Sequence, residues 1–244
     1  ATSFNGDLSK WDVSSVTDMS AMFWRASAFS PNWDVSRWDV SHVVDMNGMF
    51  WRASAFNGEI AKWDVSRVTS MTSMFNSVAS FNGDISKWDI SSVILMNNMF
   101  ENAASFNSDV SKWDVARVTN MKNMFFSASS FNNDVSKWRV SSLVIVAGVF
   151  SYASSLRSKI TNNWDVSKVT HMNNMFSSAS SFNGDLSKWD VSGVTDMSYM
   201  FSKMELFNGD ISSWDVSSTK DMSLMFSESK SLDGDLSKWD VSRV

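Results

Sequence analysis

Carboxylates recur along this chain mostly every 25 residues, and that regularity is the first feature able to do chemistry. One column runs through Asp12, Asp39, Asp64, Asp89, Asp114 and onward, and a second through Asp7, Asp34, Glu59, Asp84, Asp109 and onward. A basic column, Lys10, Arg37, Lys62, Lys87, Lys112 and Lys137 among its members, lies between them. Aligned carboxylates can hold Ca²⁺ or polar sugars, but Ca²⁺ takes about six to eight convergent oxygens, and interposed cations disfavour that. The competing reading is structural. Opposite charges offset repulsion along each column, and an Asp before a bend bonds the chain's own backbone.

Other chemistry lacks its parts. The chain has 0 Cys and 2 His, and His42 and His171 lie far apart. Thiol catalysis, disulfides and Cys-based metal sites are excluded, and no Ser-His-Asp set is suggested. Carboxylates that repeat everywhere are the opposite of a tuned acid-base pair. The Met column that begins at Met19 and Met22 reads as core filling rather than a cofactor box. No catalytic residue, cofactor or metal ligand is expected. A net charge of −5 and a pI near 5.0 give no support to nucleic-acid binding.

The elements that must position these columns are copies of one unit, Phe4 to Ser27. With Phe4 as place one, the apolar places are one, five, eight, ten, thirteen, sixteen, nineteen, twenty and twenty-three. A period in this range signals a stacked repeat architecture. Trp11 and Val13 alternate with Lys10, Asp12 and Ser14, the spacing of a short strand. Met19, Met22, Phe23 and Ala26 fall at i, i+3, i+4 and i+7, the stripe of a short helix with Thr17-Asp18 as its cap. The Asn-Gly pairs, such as Asn57-Gly58, read as turns whose Gly stands at positive φ. The expected fold is therefore an α/β repeat solenoid with a short parallel strand and a short helix per 25-residue coil. Residues 1–244 would form one array of about nine to ten coils. Both ends fall mid-pattern, so the array is expected to be a segment of a longer chain. No apolar run reaches the length of a membrane-spanning helix.

Places five to thirteen read Leu-x-x-Trp-x-Val-x-x-Val, close to a leucine-rich-repeat core. The fuller pattern, F-N-G-D-[LIV]-S-K-W-D-V-S-x-V-T-x-M-x-x-M-F, resembles the 26-residue repeat of bacterial surface proteins, a BspA-like branch of the leucine-rich repeats, over essentially the whole chain. The resemblance implies an extracellular or cell-surface array used in adhesion or protein interaction, with no family-wide catalytic residues. The period here is mostly 25, and no lipoprotein Cys is present.

Departures from the repeat carry the candidate contact residues. Places fourteen and fifteen, normally Thr-Asp, become Ile94-Leu95 and Val144-Ile145. Apolar residues at polar cap positions form either an exposed patch or a locally repacked coil. Trp24, Trp51, Phe126 and Tyr152 follow the expected helix at places otherwise Ser or Asn, and exposed aromatics are enriched at binding hot spots. Stacking of Trp24 on Trp51 is the alternative there. The favoured function is a non-enzymatic structural or adhesive protein that binds a protein partner or itself. The second is recognition of an extended ligand, such as a polysaccharide, by regular ladders. An ice plane is a weaker version of it, since only the row Ser27, Ser54, Ser80, Ser105 offers small hydroxyls.

Overall fold

The computed structural model describes residues 7–27, 34–157 and 163–244. Successive coils lie side by side and are joined at place fifteen by parallel single-residue bridges, from Asp18↔Asp45 and Asp45↔Ser70 through to Asp196↔Asp221. Coil 1 is the copy that starts at Phe4, coil 5 covers residues 106–130, coil 6 covers 131–155, and the half-coil 10 covers 232–244.

The expected helix does not form. Among the described residues there is no helix, and the stretch from place sixteen to place twenty-three is a series of tight turns. In coil 3, Met74, Asn76 and Val78 donate their N–H groups three residues back, to Met71, Ser73 and Phe75. The alternate N–H groups leave the coil. Met71, Ser73, Phe75 and Ser77 donate to Leu95, Asn97, Met99 and Glu101 of coil 4 at 3.0, 2.9, 2.9 and 2.7 Å. A helix would close every N–H onto the carbonyl four residues back. Here φ turns positive at places eighteen and twenty-two of each coil, as at Ser73 (56°) and Ser77 (59°), and that reversal aims every second amide at the neighbour. An i, i+3, i+4, i+7 apolar pattern is satisfied equally by these turns, so the pattern placed the side chains but not the backbone.

The expected Trp-Val strand is also absent. Trp63 and Val68 donate back to Ile60 and Val65, so this part of the coil is again turns, and the parallel pairing falls at place fifteen instead. The predicted inward places are nonetheless the core: Phe56, Ile60, Trp63, Val65, Val68, Met71, Met74, Phe75 and Val78 are all buried.

That core is one column running from coil to coil. Phe50, Phe75, Phe100, Phe125 and Phe150 stack on their neighbours at 5.6 to 5.7 Å. The first four pack closer still on the place-one Phe that opens the next coil, as Phe75 on Phe81 at 4.0 Å and Phe100 on Phe106 at 3.8 Å. The place-eight Trp supplies the polar tie in most coils. The indole Nε1–H of Trp38, Trp63, Trp88, Trp113, Trp138 and Trp164 donates to the place-five carbonyl of the preceding coil at 2.9 to 3.2 Å. Trp189 Nε1 has no such partner among the described residues; its register position, residue 161, lies outside them.

The Asn-Gly turns serve a different purpose from the one expected. Gly58 and Gly209 are not at positive φ; a Cβ on either would stand 2.8 Å from the ring of Phe56 or Phe207. Glycine there lets the chain pass close over the aromatic column.

Candidate interaction surface

The carboxylate columns fold the chain. The Oδ1 of Asp84 accepts the Ser86 N–H at 2.9 Å, and Asp89 accepts that of Ser91 at 3.0 Å, each two residues on. The same bracket recurs from coil to coil, at Asp39-Ser41, Asp64-Ser66, Asp165-Ser167 and Asp215-Ser217. These side chain–backbone turns are the local competitors that keep the corner out of helix or strand. Hydrogen bonds from the Ser side chain, and then from its amide, hold Asp84, Asp89, Asp165 and Asp215 below the usual carboxylate range. Among the described residues no group of three or more His, Asp or Glu is placed to hold a metal ion. His171 is exposed, with Nδ1 at 2.9 Å from Thr170 Oγ1, and occupies a bridge position between Ile145 and Asp196.

Ile94, Leu95, Val144 and Ile145 fall on the pairing line itself. Ile94 N–H donates to Thr69, Thr119 N–H to Ile94, and Val144 N–H to Thr119. Leu95 and Ile145 each bridge to Asn120. Leu95 is 37% exposed and Val144 40%, while Ile94 and Ile145 are half-buried. Extended pairing favours β-branched residues, and the place-fourteen row reads Thr17, Val44, Thr69, Ile94, Thr119, Val144, Thr170, Thr195 and, as its one exception, Lys220. The Thr hydroxyls turn back onto the preceding coil's carbonyl, as Thr69 to Val44 at 3.3 Å and Thr195 to Thr170 at 3.1 Å. Val44, 38% exposed, belongs to this row and went unremarked in the sequence. Its apolar type at place fourteen was the available signal.

The aromatic candidates form two separate pairs. Trp24 stacks on Trp51 at 5.7 Å, with the Arg25 guanidinium 4.9 Å from the Trp24 ring and Arg52 5.7 Å from the Trp51 ring. Phe126 meets Tyr152 at 5.3 Å in a tilted contact. Between the pairs, coils 3 and 4 place Asn76 and Glu101, whose side chains hydrogen-bond at 2.9 Å. Burial pushes the Glu101 carboxyl up in spite of that bond. The eight candidate residues therefore make a row and two pairs rather than one convergent pocket.

Coils 9 and 10 also show apolar surface that sequence reasoning missed. Met222, Phe226, Leu236 and Trp239, at places buried in interior coils, line an open groove together with Leu224. Among the described residues, no helix is long and apolar enough to cross a membrane.

A family model described as "Mycoplasma protein of unknown function, DUF285" matches the chain three times, over residues 1–84, 58–163 and 148–244. A search of curated proteins finds no match. The match supports a repeat family and does not reach the BspA-like leucine-rich repeats, whose helix-bearing coil the fold lacks.

Proposed function

From the premise that the chain belongs to this Mycoplasma family of unknown function, we propose that it is a non-enzymatic structural and adhesive repeat protein working at a cell surface. The place-fourteen and -fifteen row meets a protein partner. The observation that carries this reading is the row itself: Val44, Leu95 and Val144 stand exposed on a backbone held rigid by paired coils. Exposed apolar side chains on a stiff support lose little conformational freedom when covered, which favours association. The Trp24-Trp51 pair, with its stacked Arg25 and Arg52, is a second contact zone of the residue types enriched at hot spots.

The array supplies its own control for the test. Ile94→Thr, Leu95→Asp, Val144→Thr and Ile145→Asp restore residues that other coils carry at the same places. Beads coated with wild-type or fourfold variant are passed over immobilised cell-surface proteins, with and without enzymatic deglycosylation. The expected result is retention of the wild type on both surfaces and loss of retention by the variant at unchanged melting temperature. Retention that vanishes on deglycosylation and ignores the four substitutions supports the second reading, a polysaccharide recognised by the repeated corner ladders. Equal retention of variant and wild type on deglycosylated protein removes the apolar row from the proposal.

A further inference from the structure

We propose that the corner of coil 6 is an oxyanion-binding site, built from the Ser141 amide, Lys137 and Arg139, that takes a carboxylate or phosphate group. The corner occurs in ten copies along the chain. In nine of them place nine is Asp, and its Oδ1 accepts the N–H two residues on at 3.0 to 3.2 Å. In coil 6 the Asp is replaced by Arg139. The Ser141 amide, in an exposed residue, then has no acceptor among the described residues. The corner has lost its own carboxylate and gained a cation at the same place.

The surroundings suit an external anion. A cleft of about 450 Å³ is lined by Lys137, Arg139, Ser141, Asn163 and Asp165 among others. A neighbouring cleft shares Lys137 and Arg139 and adds Lys112 and Asp114. Arg139 comes only to 3.8 Å from Asp114, and its side chain is 77% exposed. Most of the five N–H donors of a guanidinium thus stay available. Asp165 is the opposing charge in the cleft, but its Oδ1 already accepts the Ser167 N–H and hydroxyl at 3.2 and 2.6 Å. Two cations and a backbone N–H form the donor set that binds oxyanions by charge-assisted hydrogen bonds. Nearby Asp114 and Asp165 oppose an incoming anion and weaken its binding. This site is independent of the apolar row.

The test is amide-resolved NMR on the whole chain, titrated with sodium acetate and with inorganic phosphate at constant ionic strength. The Ser141 amide shifts and saturates, while the Ser66 and Ser91 amides, which keep their internal Asp, stay in place. Arg139→Asp restores the internal acceptor, moves the Ser141 amide to the position of its consensus counterparts and abolishes the response. Lys137→Gln weakens the response at least threefold with the other corner amides unmoved. Saturation by acetate alone assigns a carboxylate, and by phosphate alone a phosphate. Overturning results are a Ser141 shift no larger than those of Ser66 and Ser91 with both anions, or an Arg139→Asp chain that responds as the wild type does.

Discussion

Coils 5 and 6 are neighbours built to one plan, and they differ in opposite ways inside and outside. Coil 5 keeps Met121, Met124 and Val118 in its core, whereas coil 6 has Val146, Val149 and Leu143 at those places. All six are buried to within 1%. Two Met-to-Val exchanges remove volume, and the added methylene of Leu143 restores part of it, the kind of compensated swap that cores tolerate. The aromatic column is undisturbed: Phe125 stacks on Phe150 at 5.7 Å and Phe150 on Phe176 at 6.0 Å. Outside, the residues up to Lys112 and Lys137 largely agree and those from place nine onward diverge. Asp114 becomes Arg139, Thr119-Asn120 becomes Val144-Ile145, and Ser127 becomes Tyr152. The stack constrains the inward residues of every coil and leaves the outward ones free to differ, so distinct surface chemistry can be placed on one coil without disturbing its neighbours.

The largest expected effect tests whether the two cores are equivalent. Phe125→Ala and Phe150→Ala should each cost about 3–5 kcal/mol, the range for truncating a buried Phe, measured by chemical denaturation. A clearly smaller loss at Phe150 would mean that coil 6 packs loosely. Next come the indole ties. Trp113→Phe and Trp138→Phe keep a six-membered aromatic ring, remove the pyrrole half of the indole and leave the Ile85 or Val110 carbonyl without its donor, a loss of about 1–3 kcal/mol in each coil from the unpaired carbonyl.

A third prediction joins the two coils. Gly148 has φ +63°, and a Cβ there would meet the Asn123 side chain of coil 5. Gly148→Ala should cost about 1–3 kcal/mol, and Asn123→Gly in the same chain should return part of it. Additive effects in the double-mutant cycle would show that the contact does not couple the coils.

The smallest effect is at the corner. The folded-state pKa of Asp89 and Asp165 lies below the ordinary 3.8. Their turns therefore contribute stability that is complete above the unfolded value and is lost as pH falls through the lower folded one. In an acid titration followed by NMR, the Ser91 and Ser167 amides should move with midpoints below 3.8. The Ser141 amide, with Arg139 in place of the Asp, should show no such step. A matching step at Ser141 would end the contrast.

The sequence carried the side-chain half of this structure and little of the backbone half. Among the described residues of coils 2 to 8, every apolar place read from the repeat is buried, because burial follows spacing whichever backbone delivers it. The helix was misread because positive φ falls on residues with little preference for it, such as Ala21, Arg25, Tyr152 and Leu224. Only Asn98, Asn102, Asn123, Asn174, Gly48 and Gly148 announced the reversal by type. At the Asn-Gly pairs, glycine answers a lack of space over a Phe ring rather than a positive φ. Among candidate contacts, the Trp24-Trp51 stack was foreseen as the alternative to a free surface. The place of Ile94 and Val144 on the pairing line was not, since it depends on where coils bridge.

The amides that leave each coil have a mechanical consequence. Coil 3 is tied to coil 4 by four such bonds lying side by side, together with stacked rings and one indole. Each coil is thus anchored to its neighbours and to nothing further away. Under tension applied at its ends, such a chain comes apart in equal instalments. At about 3.3–3.6 Å per extended residue, every coil that peels off releases about 85 Å of slack before the next begins to bear load. A force trace should read as a staircase of even steps, the response of a shock-absorbing tether.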